Sequence, residues 1–119
     1  MPSVSDQLAR HALAKPEAWE DHPWEGDRVA KVRKKIFVFL PSNDKGSLGV
    51  KIPHSGIYAA TLPCVVPMAY GLGKHGWMTV HLDHRSRPKT DLLCDWIDES
   101  YAAIAPATLV RLSEAGTAP

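Results

Sequence analysis

The sequence has no long apolar run and no basic segment followed by an apolar one at its N-terminus. A membrane-spanning helix needs about twenty consecutive apolar residues, and a secretory signal needs a basic segment before a shorter apolar one. These absences predict a cytoplasmic protein with no membrane partner. The chain has only two cysteines, Cys64 and Cys94, which could form one disulfide at most. In a reducing compartment we expect both thiols to be reduced, buried and structural.

The sequence also has no excess of one charge, because its formal net charge is +1. The total charge therefore gives no general attraction to nucleic acid or to acidic membranes, and any electrostatic argument depends on where the charges lie. The length of 119 residues fits a single domain over residues 1–119, and the hydrophobic fraction of 45% is ordinary for a globular chain. We expect residues 113–119 to fray.

Four segments have the composition and alternation of β-strands. The range 28–40 predicts a hairpin that turns near Arg33 to Lys35, and Ser47 to Ile52 and Trp77 to Leu82 predict two further strands. Between the first helix and this hairpin, residues 16–27 have no period and predict an ordered loop held by Trp19 and Trp24. The proline-rich stretch from residue 63 to 73 predicts irregular structure.

Helical spacing is strongest between Thr90 and Ala105, where apolar residues recur every three or four positions. A shorter helix is predicted over Ser5 to Lys15 with Ser5 or Asp6 as its N-cap, a turn or two over residues 55–62, and a last helix from Pro106 that ends before Gly116. Together these elements predict an α+β fold: an antiparallel β-sheet of about four strands with helices packed on one face. The other face is expected to be open.

The glycines at positions 71, 73 and 76 resemble part of a dinucleotide-binding loop. Such a loop must follow a strand and begin a helix, whose N-terminus binds the pyrophosphate. Here the glycines follow a proline-rich segment and precede a strand. We therefore interpret them as a turn at the start of that strand.

No set of residues predicts catalysis or a metal. His75, His81, Asp83 and His84 are close in sequence. However, His81 and Asp83 share a face only if the strand continues, and His84 falls in the polar turn, so we expect surface histidines. Cys64 and Cys94 both lie in apolar surroundings, where a thiol is inert. We expect a non-enzymatic protein without a cofactor.

Strand alternation predicts the most informative surface. If Met78, Val80 and Leu82 face the helices, then Trp77, Thr79 and His81 face away from them. The same rule places basic and aromatic residues of the other strands on that face, and the neighbouring turns add more cations. The predicted nucleic-acid-binding set is Lys31, Arg33, Lys34, Lys35, Phe37, Lys51, Lys74, Trp77 and His81, with Phe39 on the same face.

Cations would contact phosphates and aromatic rings would stack on bases at such a surface. The alternative is that the rings pack under the loop that contains Trp19 and Trp24, while the cations only hydrate the surface. The residues favour this alternative, because a register error of one position would exchange the two faces of a strand.

The chain resembles a known family at both ends. The segment Pro-Glu-Ala-Trp-Glu-Asp-His-Pro-Trp-Glu-Gly, residues 16–26, and the following Lys-Lys-Ile-Phe-Val resemble the opening of the MmcQ/YjbR-like family. The segment from Gly73 to Asp83 and the Ser100–Tyr101 helix are similar to its closing half. The resemblance implies a CyaY/frataxin-like α+β fold and a DNA-binding, double-wing function, and it supplies no catalytic motif. Its likeness to frataxin suggests iron, but the only acidic candidates are Asp91, Asp95, Asp98 and Glu99.

Two functional hypotheses follow. The first is DNA binding through the basic and aromatic sheet face, and the alternative is a protein-interaction module that docks a partner on that face or on the tryptophan-containing loop. A third, an enzyme or small-molecule binder with a cleft near Tyr70 to Gly76, has no residue set to support it. The oligomeric state is not predicted.

Overall fold

The computed structural model describes residues 3–23, 27–69 and 71–117. These residues form a six-stranded antiparallel sheet and four helices, which confirms the α+β class but not the expected four strands. The strands are β1 (Ala18–Asp21), β2 (Val29–Val32), β3 (Lys35–Phe39), β4 (Ser47–Lys51), β5 (Val65–Pro67) and β6 (Trp77–His81). The helices are α1 (Val4–Leu13), α2 (Gly56–Ala59), α3 (Thr90–Ile104) and α4 (Ala107–Thr117).

The two strands that the sequence did not predict lie at the edges of the sheet, whose order is β1-β2-β3-β4-β6-β5. Strand β1 was expected to be loop, and β5 lies in the stretch that was expected to be irregular. Neither has an alternating apolar pattern, since edge strands are specified by pairing with a neighbour more than by their own composition. Trp24 and Tyr70, which also belong to predicted loops, lie outside the described residues.

The first helix begins earlier than its sequence predicts. Ser3, rather than Ser5 or Asp6, is the N-cap, and its hydroxyl accepts a hydrogen bond from the backbone N–H of Asp6 at 3.1 Å. Ser5 is instead buried, and its N–H donates to the carboxylate of Asp44 at 2.8 Å. At the other end of the chain, α4 continues through Gly116 to Thr117, so the predicted end before Gly116 is wrong.

Helices α1 and α3 cover one face of the sheet, and the core lies between them and the strands. The predicted range of α3 is confirmed to within one residue, and its buried side chains include Leu93, Trp96 and Ile97. Tyr101 of the same helix packs edge-on against Phe37, with ring centroids 5.1 Å apart, and its hydroxyl donates to the Pro16 carbonyl at 2.7 Å. We call the opposite face of the sheet, turned away from α1 and α3, the outer face.

The predicted hairpin is confirmed, but it contains a β-bulge. Lys31 pairs with Ile36 and Ala30 pairs with Val38, so Phe37 has no partner on β2. An extra residue in one strand reverses the alternation beyond it. Phe37 and Val38 therefore both lie in the core on the helix side, whereas Phe39 returns to the outer face.

Candidate nucleic-acid interface

The outer face contains the residues that strand alternation assigned to it on β6. Val80 is paired with Leu48, and both lie in the core on the helix side. The intervening pairs, Gly49 with Thr79 and Lys51 with Trp77, therefore point away from the helices. His81, at the end of β6, is opposite Ser47 and is exposed.

The two aromatic residues that were predicted to stack on bases are not available on the surface. The side chain of Phe37 is fully buried on the helix side because of the bulge, so its predicted place on the outer face is wrong. Trp77 does lie on the outer face, but it is only 7% exposed. Its ring packs edge-on against Phe39 with centroids 5.4 Å apart. This packing agrees with the alternative in which the aromatic rings serve the structure.

Two of the predicted cations are paired with carboxylates of the edge strand and the turn before it. The Lys31 ammonium lies 2.7 Å from Asp21 and over the ring of Trp19, at 5.2 Å from its centroid. A hydrogen bond from Lys31 is the main reason that the pKa of Asp21 lies below its usual value. Arg33 contacts Glu17 at 3.4 Å. The charges of these two cations are therefore partly neutralised within the protein.

Three other predicted cations lie at one end of the outer face, which we call the hairpin end. It comprises the β2–β3 turn with Lys34, the last residue of β4, Lys51, and a 3-10 turn, Leu72–His75, that contains Lys74. The side chains of Lys34 and Lys74 are exposed and that of Lys51 is half-buried. No described residue forms an ion pair with any of the three.

Lys35 and His81 do not join this group. Lys35 is paired with Val32, whose side chain lies in the core, so Lys35 leaves the sheet on the helix side although it is exposed. His81 ends β6, whereas the hairpin end lies where β6 begins. Of the nine predicted residues, Lys34, Lys51 and Lys74 lie at the same end of the sheet and have no ion-pair partner within the described ranges.

Trp19, which the sequence placed in an ordered loop, is an exposed aromatic residue at the hairpin end. It is 44% exposed on β1, directly across from Lys31. Its indole N–H donates to the backbone carbonyl of Arg33 at 2.8 Å. The signal that could have identified it is its position between the charged residues Glu17 and Asp21, which is typical of a strand edge in water.

The structure confirms that the segment with Gly71, Gly73 and Gly76 is a turn before a strand. Gly71 and Gly76 have φ values of 78° and 92° and flank the 3-10 turn, after which β6 begins at Trp77. Only glycine adopts such φ values without strain. A Cβ at Gly73 would lie 2.7 Å from the Pro67 side chain, so this position also requires a close approach.

The described residues contain no group of three or more histidine, cysteine or acidic side chains that could hold a metal ion. Two of the acidic residues on α3 have structural partners. Asp98 contacts His11 and Lys15, and Glu99 accepts hydrogen bonds from the backbone of His54 at 2.8 Å and of Ser55 at 3.1 Å.

Both cysteines are free thiols. Cys64 is fully buried, but Cys94 is only partly buried, which corrects the prediction that both are buried. Burial is the main cause that raises the pKa of Cys94, and the neighbouring aspartates raise it further. A raised pKa makes this thiol a poor nucleophile at neutral pH. None of the helices in the described ranges has the length and apolar character needed to cross a membrane.

The comparisons with known proteins identify a family but no activity. A crystal structure of Deinococcus radiodurans protein DR2400, with domain DUF419, is similar in fold, with a TM-score of 0.70 and 21% identity. The alignment covers 98% of this chain and 88% of that one. No curated protein matches the chain. The sequence model of the YjbR family matches residues 13–103, most of the chain. This chain therefore belongs to the YjbR family.

Proposed function

We propose that this protein is a non-enzymatic DNA-binding protein that contacts the phosphate backbone through the hairpin end of the outer face. The observation that supports the proposal is the convergence of Lys34, Lys51 and Lys74 on one end of the sheet without carboxylate partners among the described residues. Neighbouring strands are about 4.8 Å apart, so the β3, β4 and β6 ends lie on the order of 10 Å from one another. That spacing allows several phosphates to be contacted at once.

Phosphate contact is favoured over base recognition because the two rings that were predicted to stack, Phe37 and Trp77, are buried. Trp77 is 7% exposed and packs edge-on against Phe39, and Phe37 belongs to the core, so neither ring can stack on a base without a rearrangement. Contacts to phosphate carry no sequence information. We therefore expect binding with little sequence preference, and weak binding at physiological salt, since three cations release few counterions.

The experiment compares two triple variants with equal loss of charge. In the first, Lys34, Lys51 and Lys74 are each changed to Gln. In the matched control, three exposed cations elsewhere are changed to Gln: Arg10 on α1, Lys45 in the β3–β4 turn and Arg111 on α4. Affinity for a fluorescein-labelled 20-base-pair duplex is measured by anisotropy at low salt. Each lost phosphate contact removes about 0.9 from the slope of log K against log salt concentration.

We expect the first variant to lose most of its affinity and salt slope, and the control to keep both. Equal losses in the two variants would mean that only the total charge matters. The absence of binding by the unmodified protein at low salt would exclude the proposal.

Protein docking is the second candidate, and the exposure of Trp19 favours it. Trp19 is 44% exposed on an edge strand. Tryptophan is enriched among the residues that anchor protein interfaces, and an exposed sheet edge can pair with a strand of a partner. Affinity purification from the native cell tests this with Trp19→Ala as the control. Recovery of a specific protein that Trp19→Ala loses and the triple lysine variant keeps would favour docking over DNA binding.

A further inference from the structure

A cleft of about 840 Å³ opens on the outer face and adjoins the hairpin end at Leu72. Its floor is formed by the pairs Phe39 with Gly49 and Gly49 with Thr79, and the segment that carries Met68 and Leu72 forms one wall. Pockets that hold small organic molecules have volumes of about 300–1,000 Å³ and are lined mainly by apolar side chains with a few polar groups. The size and lining of this cleft are those of such a pocket.

The floor is apolar and adaptable because Gly49 has no side chain between Phe39 and Thr79. A Cβ at Gly49 would lie 2.4 Å from the methyl carbon of Met68 and 3.0 Å from the Cβ of Phe39. The thioether of Met68 therefore occupies the notch left by this glycine. An aromatic ring beside a flexible thioether is a surface on which another flat ring packs well, through sulfur–aromatic and ring–ring contacts.

Asp27 lines the cleft, and its carboxylate has no partner among the described residues. Arg28 also lines the cleft, but its guanidinium binds both carboxylate oxygens of Glu20, at 3.2 Å and 3.3 Å. No hydrogen bond or ion pair joins the Asp27 side chain to any described residue, and only its backbone carbonyl contacts His22. The charges of the described residues Glu20, Asp27 and Arg28 therefore leave this side of the cleft negative.

We infer that this cleft binds a flat aromatic molecule that bears a cationic ammonium group, with the ring on Phe39 and Met68 and the ammonium beside Asp27. This binding does not rest on the DNA-binding proposal, because none of Lys34, Lys51 and Lys74 lines the cleft. The hydroxyl groups of Ser47 and Thr79, which also line the cleft, can accept a hydrogen bond from a ring substituent.

Three matched probes test the inference: 2-naphthylmethylammonium, 2-naphthalenemethanol and the carboxylate 2-naphthaleneacetate. Each is titrated into the ¹⁵N-labelled protein, and amide chemical shifts give the site and the affinity. We expect the largest shifts at Ser47, Gly49 and Thr79. The ammonium should bind about three- to five-fold more tightly than the alcohol, the gain typical of a partly exposed ion pair, and the acetate more weakly than either.

Two variants test separately how the Asp27 carboxylate and the cavity contribute to the affinity. Asp27→Asn should reduce the affinity for the ammonium to that for the alcohol, while Asp95→Asn, an exposed carboxylate on α3, should change neither. Leu72→Trp should fill the cleft and weaken all three probes, with an unchanged amide spectrum elsewhere as the check on folding. Shifts outside the cleft, or acetate binding as tight as that of the ammonium, would overturn the inference.

Discussion

The hydroxyl of Ser100 accepts a hydrogen bond from the backbone N–H of Lys51 at 2.8 Å. The same hydroxyl donates to the backbone carbonyl of Phe37, the bulged residue of β3. One buried side chain of α3 thus joins β3 and β4 at a point beyond the backbone pairs of Val38 with Val50 and Phe39 with Gly49. The Ser100–Tyr101 pair that resembled a family feature therefore has a structural role in this chain.

Ser100→Ala should lower the free energy of unfolding by about 1–3 kcal/mol, because it leaves a buried N–H and a buried carbonyl without partners. Urea denaturation measures the loss. Ser113→Ala is the control, since Ser113 accepts only a long 3.4 Å hydrogen bond from Lys15. A loss in Ser100→Ala no larger than that in Ser113→Ala would contradict the bridging role.

Trp77→Ala should lower the free energy of unfolding by about 3–5 kcal/mol, as expected for a large buried aromatic residue. Trp19→Ala should lower it by about 1 kcal/mol, because Trp19 is exposed and loses one hydrogen bond and one cation–π contact. Thermal and urea denaturation compare the two. Similar values for both variants would show that the packing of Trp77 against Phe39 contributes little.

Gly76→Ala should destabilise the protein by about 1–2 kcal/mol, since the φ value of 92° strains any side chain. Gly56→Ala is the control at the start of α2. Its Cβ would lie at an ordinary 3.5 Å from Met78, and alanine is the better helix former, so stability should be unchanged or slightly higher. Equal destabilisation of the two variants would contradict the requirement for glycine at the start of β6.

The contacts of Asp98 with His11 and Lys15 should make the free energy of unfolding depend on pH in the acid range. Partial burial alone would raise the pKa of Asp98, but hydrogen bonds from His11 and Lys15 outweigh it, so this pKa lies below the usual 3.8. The stability that this shift contributes is complete above the unfolded pKa and is lost as the pH falls through the lower folded pKa.

Asp98→Asn tests this pH dependence. The variant should lose about 1 kcal/mol at pH 7, a small value because the side chain is 42% exposed and therefore screened. Its unfolding free energy should also fall less steeply below pH 4 than that of the unmodified protein. Urea denaturation between pH 7 and pH 2.5 measures both effects, with Asp95→Asn as the exposed control. A variant with the same acid dependence as the unmodified protein would contradict the role of Asp98.

The sequence predicted the elements that show an apolar periodicity in their own residues. The hairpin, β4, β6 and α3 carry apolar periodicity, and all four are present close to their predicted ranges. The edge strands β1 and β5 could not be predicted, because their pairing with β2 and β6 creates them. Alternation assigned Lys51 and Trp77 to the correct face, but it failed at Phe37, where a bulge adds one residue.

The exposure of the side chains at the candidate site could not be predicted from the sequence, for a different reason. Alternation gives the face of a side chain, and it does not give what packs on that face. The packing of Trp77 against Phe39 and the ion pair of Lys31 with Asp21 both depend on residues from other strands. The cleft over Gly49 likewise depends on a methionine nineteen positions later in the chain.

The salt dependence of duplex binding tests the central proposal most directly. The anisotropy of a labelled 20-base-pair duplex is followed at several salt concentrations, from about 20 mM to 200 mM, for the unmodified protein. If Lys34, Lys51 and Lys74 each contact a phosphate, log K should fall against log salt concentration with a slope of about −2.7, since each contact contributes about 0.9. A slope near zero, or no binding at 20 mM salt, would contradict DNA binding through the hairpin end.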